Sequence, residues 1–183
     1  MKNKKNTISW RNIHTIVFDF DGVFTDNKVY TNQDGKESVC CDRGDGLGFD
    51  ILRNFKKINK WNVDYYILSK ERNNVVKERA LKLNIPVIQA ENNKINQVKN
   101  FLNSKKKSQS GLLYIGNDLN DLEVMCFSKY SFAPSDAHEV IKRNATHVFN
   151  NRGGNGFVRE VIEYILEIDN METCQLIQLM REI

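Results

Sequence analysis

The run Ile16-Val17-Phe18-Asp19-Phe20-Asp21-Gly22 limits the folds open to this chain more than any other stretch. Its β-branched and aromatic residues predict a buried strand, and Gly22 predicts where that strand gives way to a turn. Side chains alternate along a strand, so Asp19 and Asp21 leave on one face and Phe18 and Phe20 on the other. Two carboxylates at the end of a buried strand suffer desolvation and mutual repulsion together. A bound cation, a shared proton or an open crevice relieves them. A divalent ion would satisfy both acids, leaving one as a nucleophile and the other as a proton carrier. Taken alone, the pair also fits two loop acids that cap the next element.

The rest of the chain alternates strand and helix. After the first strand, Asp34-Gly35 between two short alternating runs predicts a hairpin over residues 27–41. The turn 42–46 opens a helix whose apolar stripe is Leu47, Ile51, Leu52, Phe55 and Ile58. Further strands are expected at 63–69, 86–89, 111–116, 131–133 and 147–149, and helices at 74–83, 94–102, 122–127, around Val140 and Ile141, and from Phe157 to Ile168. Asp136 is the expected cap of the Val140–Ile141 helix. A tail from Met171 to Ile183 reads as a second amphipathic helix. Such alternation predicts an α/β fold, a Rossmann-like three-layer sandwich with a parallel sheet. Its 183 residues fit one domain, a core over 12–168 and a helical tail over 169–183.

Composition removes several function classes. The formal net charge is only +4, and the one basic run, Lys105-Lys106-Lys107, sits among Ser and Gln as a solvated loop. Nucleic acid is therefore not an expected partner. No apolar h-region follows the charged residues 1–6, and no apolar run reaches the ~18 residues of a membrane span, so a cytoplasmic protein without a membrane partner is expected. Cys40, Cys41, Cys126 and Cys174 form no C-x-x-C pair and are read as buried or half-exposed free thiols. His14, His138 and His147 are scattered, which gives a zinc site or a histidine triad no support.

In a parallel sheet wrapped by helices, ligands sit outside the carboxyl ends of the strands. Asp19 and Asp21, Ser69, and the loop Asn117-Asp118-Leu119-Asn120-Asp121 all follow strand ends, and Lys94 opens a helix beside them. Phosphate monoester hydrolysis needs an in-line nucleophile, a proton for the leaving oxygen, and positive charge on the non-bridging oxygens. Asp19 suits the attack and Asp21 the protonation. Ser69 and Lys94 suit the phosphate oxygens, and the acidic loop offers hard oxygens to Mg²⁺.

This order of residues resembles the haloacid dehalogenase superfamily. Its first motif, Asp-x-Asp-Gly-x-x-Thr-Asp, stands at residues 19–26, with Ser69 matching the second motif, Lys94 the third, and residues 116–121 the acidic fourth. The likeness is to a small capless branch that acts on 3-deoxy-octulosonate 8-phosphates and nonulosonate 9-phosphates and includes domains fused to acylneuraminate cytidylyltransferases. It extends to Asp45-Gly46-Leu47-Gly48 and to Gly153-Gly154-x-Gly156-x-x-Arg159-Glu160. The resemblance implies Asp19 as nucleophile and Mg²⁺ ligand, and Asp21 as general acid/base and metal ligand. It implies Asn117 and Asp118 as further metal ligands, Ser69 and Lys94 on the phosphate, and Asp121 behind them orienting Lys94 or a metal-bound water. Asn117 stands where the branch usually has Asp.

Glu71, Arg72 and Gly154 are the expected substrate contacts. Glu71, where octulosonate enzymes typically carry Arg, tilts the expected substrate toward a nine-carbon sugar-acid phosphate. No insertion is long enough for a cap domain, and the hairpin flap is too small to seal a site. The resemblance therefore implies a homotetramer in which neighbours close the mouth, with the loop 153–156 and the tail helix as further covers. The tail helix fits equally a place against its own sheet. The rival reading is a non-catalytic tetramerisation module, which is disfavoured because Asp19, Asp21, Ser69 and Lys94 are all present.

Overall fold

The computed structural model describes residues 8–90 and 92–181. Residues 1–6 and Ile183, named above, lie outside them. After a 3-10 turn at Trp10–Asn12 come β1 (Thr15–Phe18), a hairpin of β2 (Tyr30–Thr31) and β3 (Glu37–Ser38), and α1 (Gly44–Ile58). Next come β4 (Asp64–Leu68), α2 (Val75–Leu83), β5 (Val87–Ile88), α3 (Lys94–Ser104), β6 (Leu112–Ile115) and α4 (Leu122–Phe127). The fold closes with β7 (Tyr130–Ala133), α5 (Glu139–Asn144), β8 (His147–Val148), α6 (Phe157–Leu166) and α7 (Thr173–Met180).

Six strands form one parallel sheet in the order β5-β4-β1-β6-β7-β8, so β1 lies inside it, flanked by β4 and β6. Strand alternation sorts the core into two layers. Ile16 and Phe18 face α1 and α6, with Phe49, Leu52, Val158 and Ile162 around them. Val17 faces the other way, toward Ile95 and Val98 of α3 and Val124 of α4. Helices therefore cover both faces, as the alternation predicts, and no cap domain is inserted. The tail helix α7 seats Leu179 in the first layer, and Asn54 Nδ2 of α1 donates to Leu179 O at 3.0 Å.

Three details depart from expectation. The side chain that caps α5 is His138, whose Nδ1 accepts from Val140 N–H at 3.2 Å. Asp136 instead accepts from Gly153 N–H at 3.0 Å and from Arg152 Nε at 3.2 Å, because a loop from across the fold needs its oxygens. Of the cysteines only Cys41 is half-buried, while Cys40, Cys126 and Cys174 are exposed. Lys105 and Lys106 are solvated, but Lys107 folds back to Asp64 Oδ2 and to His14 O, both at 2.8 Å. No described helix is long and apolar enough to cross a membrane.

Candidate active site

Register brings the predicted residues together. β1 aligns Phe18 with Ile67 of β4 and Ile115 of β6, so Asp19, Ser69 and Asn117 leave three adjacent strands at one edge. Asp19 N–H still donates to Ile115 O at 2.9 Å, continuing the ladder, and its side chain turns to the α3 layer as Val17 does. Asn93 caps α3 by accepting from Asn96 N–H, which puts Lys94 at the first helical position, facing the strand ends.

Lys94 is 3% exposed, and its Nζ bridges Asp19 Oδ1 and Asp121 Oδ1, each at 2.7 Å. Burial works against its charge, but the two carboxylates outweigh burial and hold the ammonium protonated. One cation is thus shared between two buried acids. Burial pushes the Asp19 carboxyl up, Asp121 adds to the rise, and Lys94 opposes it. Phe20 N–H, at 2.8 Å, also reaches Asp19 Oδ1, which leaves Oδ2 toward the cleft. Asp21 is half-buried and likewise raised, by burial and then by Glu71, against the pull of Lys94. That shift suits a group that must hold a proton.

Asp121 lies behind this front. A 3-10 turn at Leu119–Asp121, capped by Asp118, turns the Asp121 side chain inward. Oδ1 accepts from Lys94 and, at 2.7 Å, from the hydroxyl of Tyr114, while Oδ2 accepts from the N–H groups of Asn117 (3.0 Å) and Asp118 (3.3 Å). Gly22 lets Asn117 come close: it adopts φ +74°, and a Cβ there would fall 1.9 Å from Asn117 Nδ2.

Asp19, Asp21, Ser69, Asn117 and Asp118 meet on one cleft of about 240 Å³. The three predicted substrate contacts do not line it. Glu71 Oε1 accepts from Arg72 N–H (2.6 Å) and Asn73 N–H (2.7 Å) of its own loop, and Arg72 is exposed. Gly154 packs on the back of the first-motif turn, its N–H donating to Val23 O at 3.1 Å. Sequence reasoning missed Asn27 and Lys70 and gave Asn120 no role beyond its place in the acidic loop, and all three line the cleft. Tyr114 entered that reasoning only as part of the strand expected at 111–116. Asn27 carried a signal, because Asn readily adopts the left-handed φ of +61° found there.

Among the described residues no three His, Cys, Asp or Glu side chains gather closely enough to hold an ion alone. The donors are carboxylate and amide oxygens facing open space, with too little positive charge nearby for Asp19 and Asp121. That set fits a hard divalent cation that keeps several of its waters.

The sequence model of the haloacid dehalogenase-like hydrolases matches residues 7–161. The chain belongs to that family. Among curated members it is similar to the 3-deoxy-D-manno-octulosonate 8-phosphate phosphatase of Yersinia pestis, 31% identical over 156 residues, covering 85% of this chain and 80% of the relative. The solved structure of a Yersinia pestis phosphatase of that name superposes with TM-score 0.79 at 30% identity, over 90% of this chain and 86% of the other. The Moraxella catarrhalis phosphatase, solved with a magnesium ion, a phosphate ion and a KDO molecule, gives TM-score 0.81 at 25% identity, over 92% and 94%. This family member is thus a hydrolase whose cleft lies where its fold brings the strand ends together.

Proposed function

We propose that the chain is a Mg²⁺-dependent phosphatase that removes the terminal phosphate of a 3-deoxy-2-ulosonic acid phosphate. One observation carries the reading. Lys94 Nζ, 2.7 Å from both Asp19 and Asp121, stands directly behind a cleft that also presents Asp21, Ser69 and Asn117. Asp19 Oδ2 attacks phosphorus, forming the Asp19–phosphorus bond as the bond from phosphorus to the sugar oxygen breaks. Asp21 gives its proton to that departing oxygen, work typically worth about 10²–10⁴-fold. It then takes a proton from the water that attacks the aspartyl phosphate, which returns Asp19 as a carboxylate and releases inorganic phosphate. Ser69 and Lys94 hold the non-bridging oxygens, Lys94 with the N–H that its two acids leave over. Asp19, the Asp21 carbonyl, Asn117 and Asp118 would hold Mg²⁺, which supplies charge neutralisation on the phosphoryl oxygens.

The sugar-acid class is supported by the names of the relatives. Two features bear on carbon number: the relatives act on an eight-carbon acid, whereas the Ser69-Lys70-Glu71-Arg72 segment favours a nine-carbon one. Since Glu71 is folded into its own loop, the eight-carbon 8-phosphate is the first substrate to test. A homotetramer belongs to the same proposal, because the cleft is open and the hairpin beside it presents Val29 at 55% and Tyr30 at 56% exposure.

The experiment is phosphate release from the 8-phosphate, nonulosonate 9-phosphates and hexose phosphates, with Mg²⁺, with EDTA and with Asp19→Asn. Turnover of one ulosonate phosphate, abolished by EDTA and by the variant, is expected. A folded tetramer inert on the whole panel would instead assign the chain to assembly.

A further inference from the structure

Two buried tyrosines flank the nucleophile strand in the same layer. Val17 of β1 aligns with Tyr66 of β4 on one side and with Tyr114 of β6 on the other, and all three belong to the α3-side core. Tyr66 is 2% and Tyr114 0% exposed. Their hydroxyls differ. The Tyr66 hydroxyl has no hydrogen-bond partner among the described residues, whereas the Tyr114 hydroxyl donates to Asp121 Oδ1 at 2.7 Å.

Asp121 connects the two halves of the site. Oδ1 reaches Lys94 and through it Asp19, while Oδ2 gathers the N–H groups of Asn117 and Asp118. The last torsion of an aspartate is broad, so these grips alone leave the carboxylate plane free to rock. The tyrosine hydroxyl, carried on a rigid central strand, removes that freedom and satisfies a second acceptor site on Oδ1. It also draws negative charge away from the oxygen that holds Lys94, so that Asp121 anchors the ammonium without monopolising it.

We infer that Tyr114 is a positioning residue of this site. Its hydroxyl locks the Asp121 carboxylate in the one orientation that holds Lys94 against Asp19 and, at the same time, shapes the Asn117-Asp118 loop that receives the cation. The inference rests on the metal-dependent phosphatase reading above. It adds that the phosphate-holding and cation-holding halves loosen together when one remote hydroxyl is removed.

The test compares wild type, Tyr114→Phe and Tyr66→Phe, which lose equivalent hydroxyls from one core layer. Melting temperature is followed through a MgCl₂ titration without substrate, and initial rates on p-nitrophenyl phosphate are measured over the same range. Partners behind metal ligands typically change affinity or activity by about 10–100-fold when removed. Tyr114→Phe is therefore expected to need about 10-fold more Mg²⁺ for half of its thermal shift and to lose about 10-fold in kcat/KM. Tyr66→Phe should track wild type in both readouts. In an Asp121→Asn background, Tyr114→Phe should add nothing further to either, because its effect runs through Asp121.

Equal Mg²⁺ midpoints for the two tyrosine variants, or full additivity with Asp121→Asn, would overturn the inference and leave the phosphatase reading standing. A wild type indifferent to Mg²⁺ in both readouts would overturn that reading and the inference with it. If Tyr114→Phe does not fold, wild type labelled with ¹³Cζ-tyrosine decides. The Tyr114 resonance, assigned by single Tyr→Phe changes at the other five of the six tyrosines, should move on adding Mg²⁺ while that of Tyr66 stays. An unmoved Tyr114 resonance would overturn it.

Discussion

Asp45, in the first turn of α1, is fully buried, and only one of its oxygens is used: Oδ1 accepts from Arg159 N–H at 3.2 Å while Oδ2 has no partner among the described residues. Burial pushes its carboxyl up to about 7 from an ordinary value of 3.8. The folded state therefore keeps a proton that the unfolded chain has lost, and stability falls as pH rises from about 4 to about 7, by at most ~1.4 kcal/mol per pH unit. Above that window the penalty is constant; below it there is none. Asp45→Asn is expected to stabilise the protein by on the order of 1–3 kcal/mol at pH 8 and by much less at pH 5, read from urea denaturation. An equal gain at both pH values would mean that ionisation is not the cause. The sequence exposes little of this. Asp45 reads there as turn chemistry, because burial depends on α6, more than a hundred residues away. Asp19 and Asp21 were legible for the opposite reason: the cost of two acids on an apolar strand is written in seven adjacent residues. Tyr114 was not, since a tyrosine among apolar strand residues has the same pattern whether or not its hydroxyl finds an acid.

At the scale of elements, the strands and most helices follow from local periodicity, and what escapes is how loops reach one another. Asp136 was expected to cap the helix that follows it, a local duty, yet it accepts from Gly153 N–H and leaves the cap to His138. The Asp136 contact helps to hold the loop of Gly153 and Gly154 against the turn of the first motif, and His138 takes the cap that Asp136 leaves. Gly154 has φ +68°, and a Cβ there would stand 2.3 Å from Asp26 N and 2.4 Å from the Thr25 carbonyl carbon. No side chain is at fault in those clashes, so no rotamer change relieves them. Gly154→Ala should cost more than the ~1 kcal/mol of a left-handed alanine, because the loop must also lift off the turn. It should lower activity in parallel, as Asp21 and Gly22 lose their backing. Chemical denaturation and rates on p-nitrophenyl phosphate check this, and a variant as stable and active as wild type would show that the loop is only an adjacent surface.

For the whole molecule the open question of form is what closes the cleft. The loops after β1, β4 and β6 line it, and Asn27, just ahead of the β2–β3 hairpin, lines it too. The hairpin pairs only with itself, all four of its strand residues are exposed, and a side-chain link from Asn73 Nδ2 to Glu37 Oε2 at 2.8 Å leans it over the loop that follows Ser69. A two-stranded ribbon is marginal by itself in water, and exposed Val29 and Tyr30 give it a reason to seek other copies. The sequence marks the hairpin through Asp34-Gly35, but its company there is only what the family resemblance implies, because an assembly leaves no periodicity in one chain. Replacing residues 30–38 by a short Gly-Ser link should leave the six-stranded sheet intact, since no strand of that sheet pairs with the hairpin. For the proposed tetramer, light scattering should then fall from roughly 85 kDa, four chains of 21.3 kDa, to the mass of one. Rates should separate by substrate. Hydrolysis of p-nitrophenyl phosphate, which needs only the groups at the strand ends, should persist. Hydrolysis of the ulosonate phosphate should drop by about 10²-fold or more, the scale expected when positioning is lost at a distance from the chemistry. A shortened chain that still runs as a tetramer would place the interface on another face, and a monomer with undiminished ulosonate turnover would show that one chain holds the whole substrate.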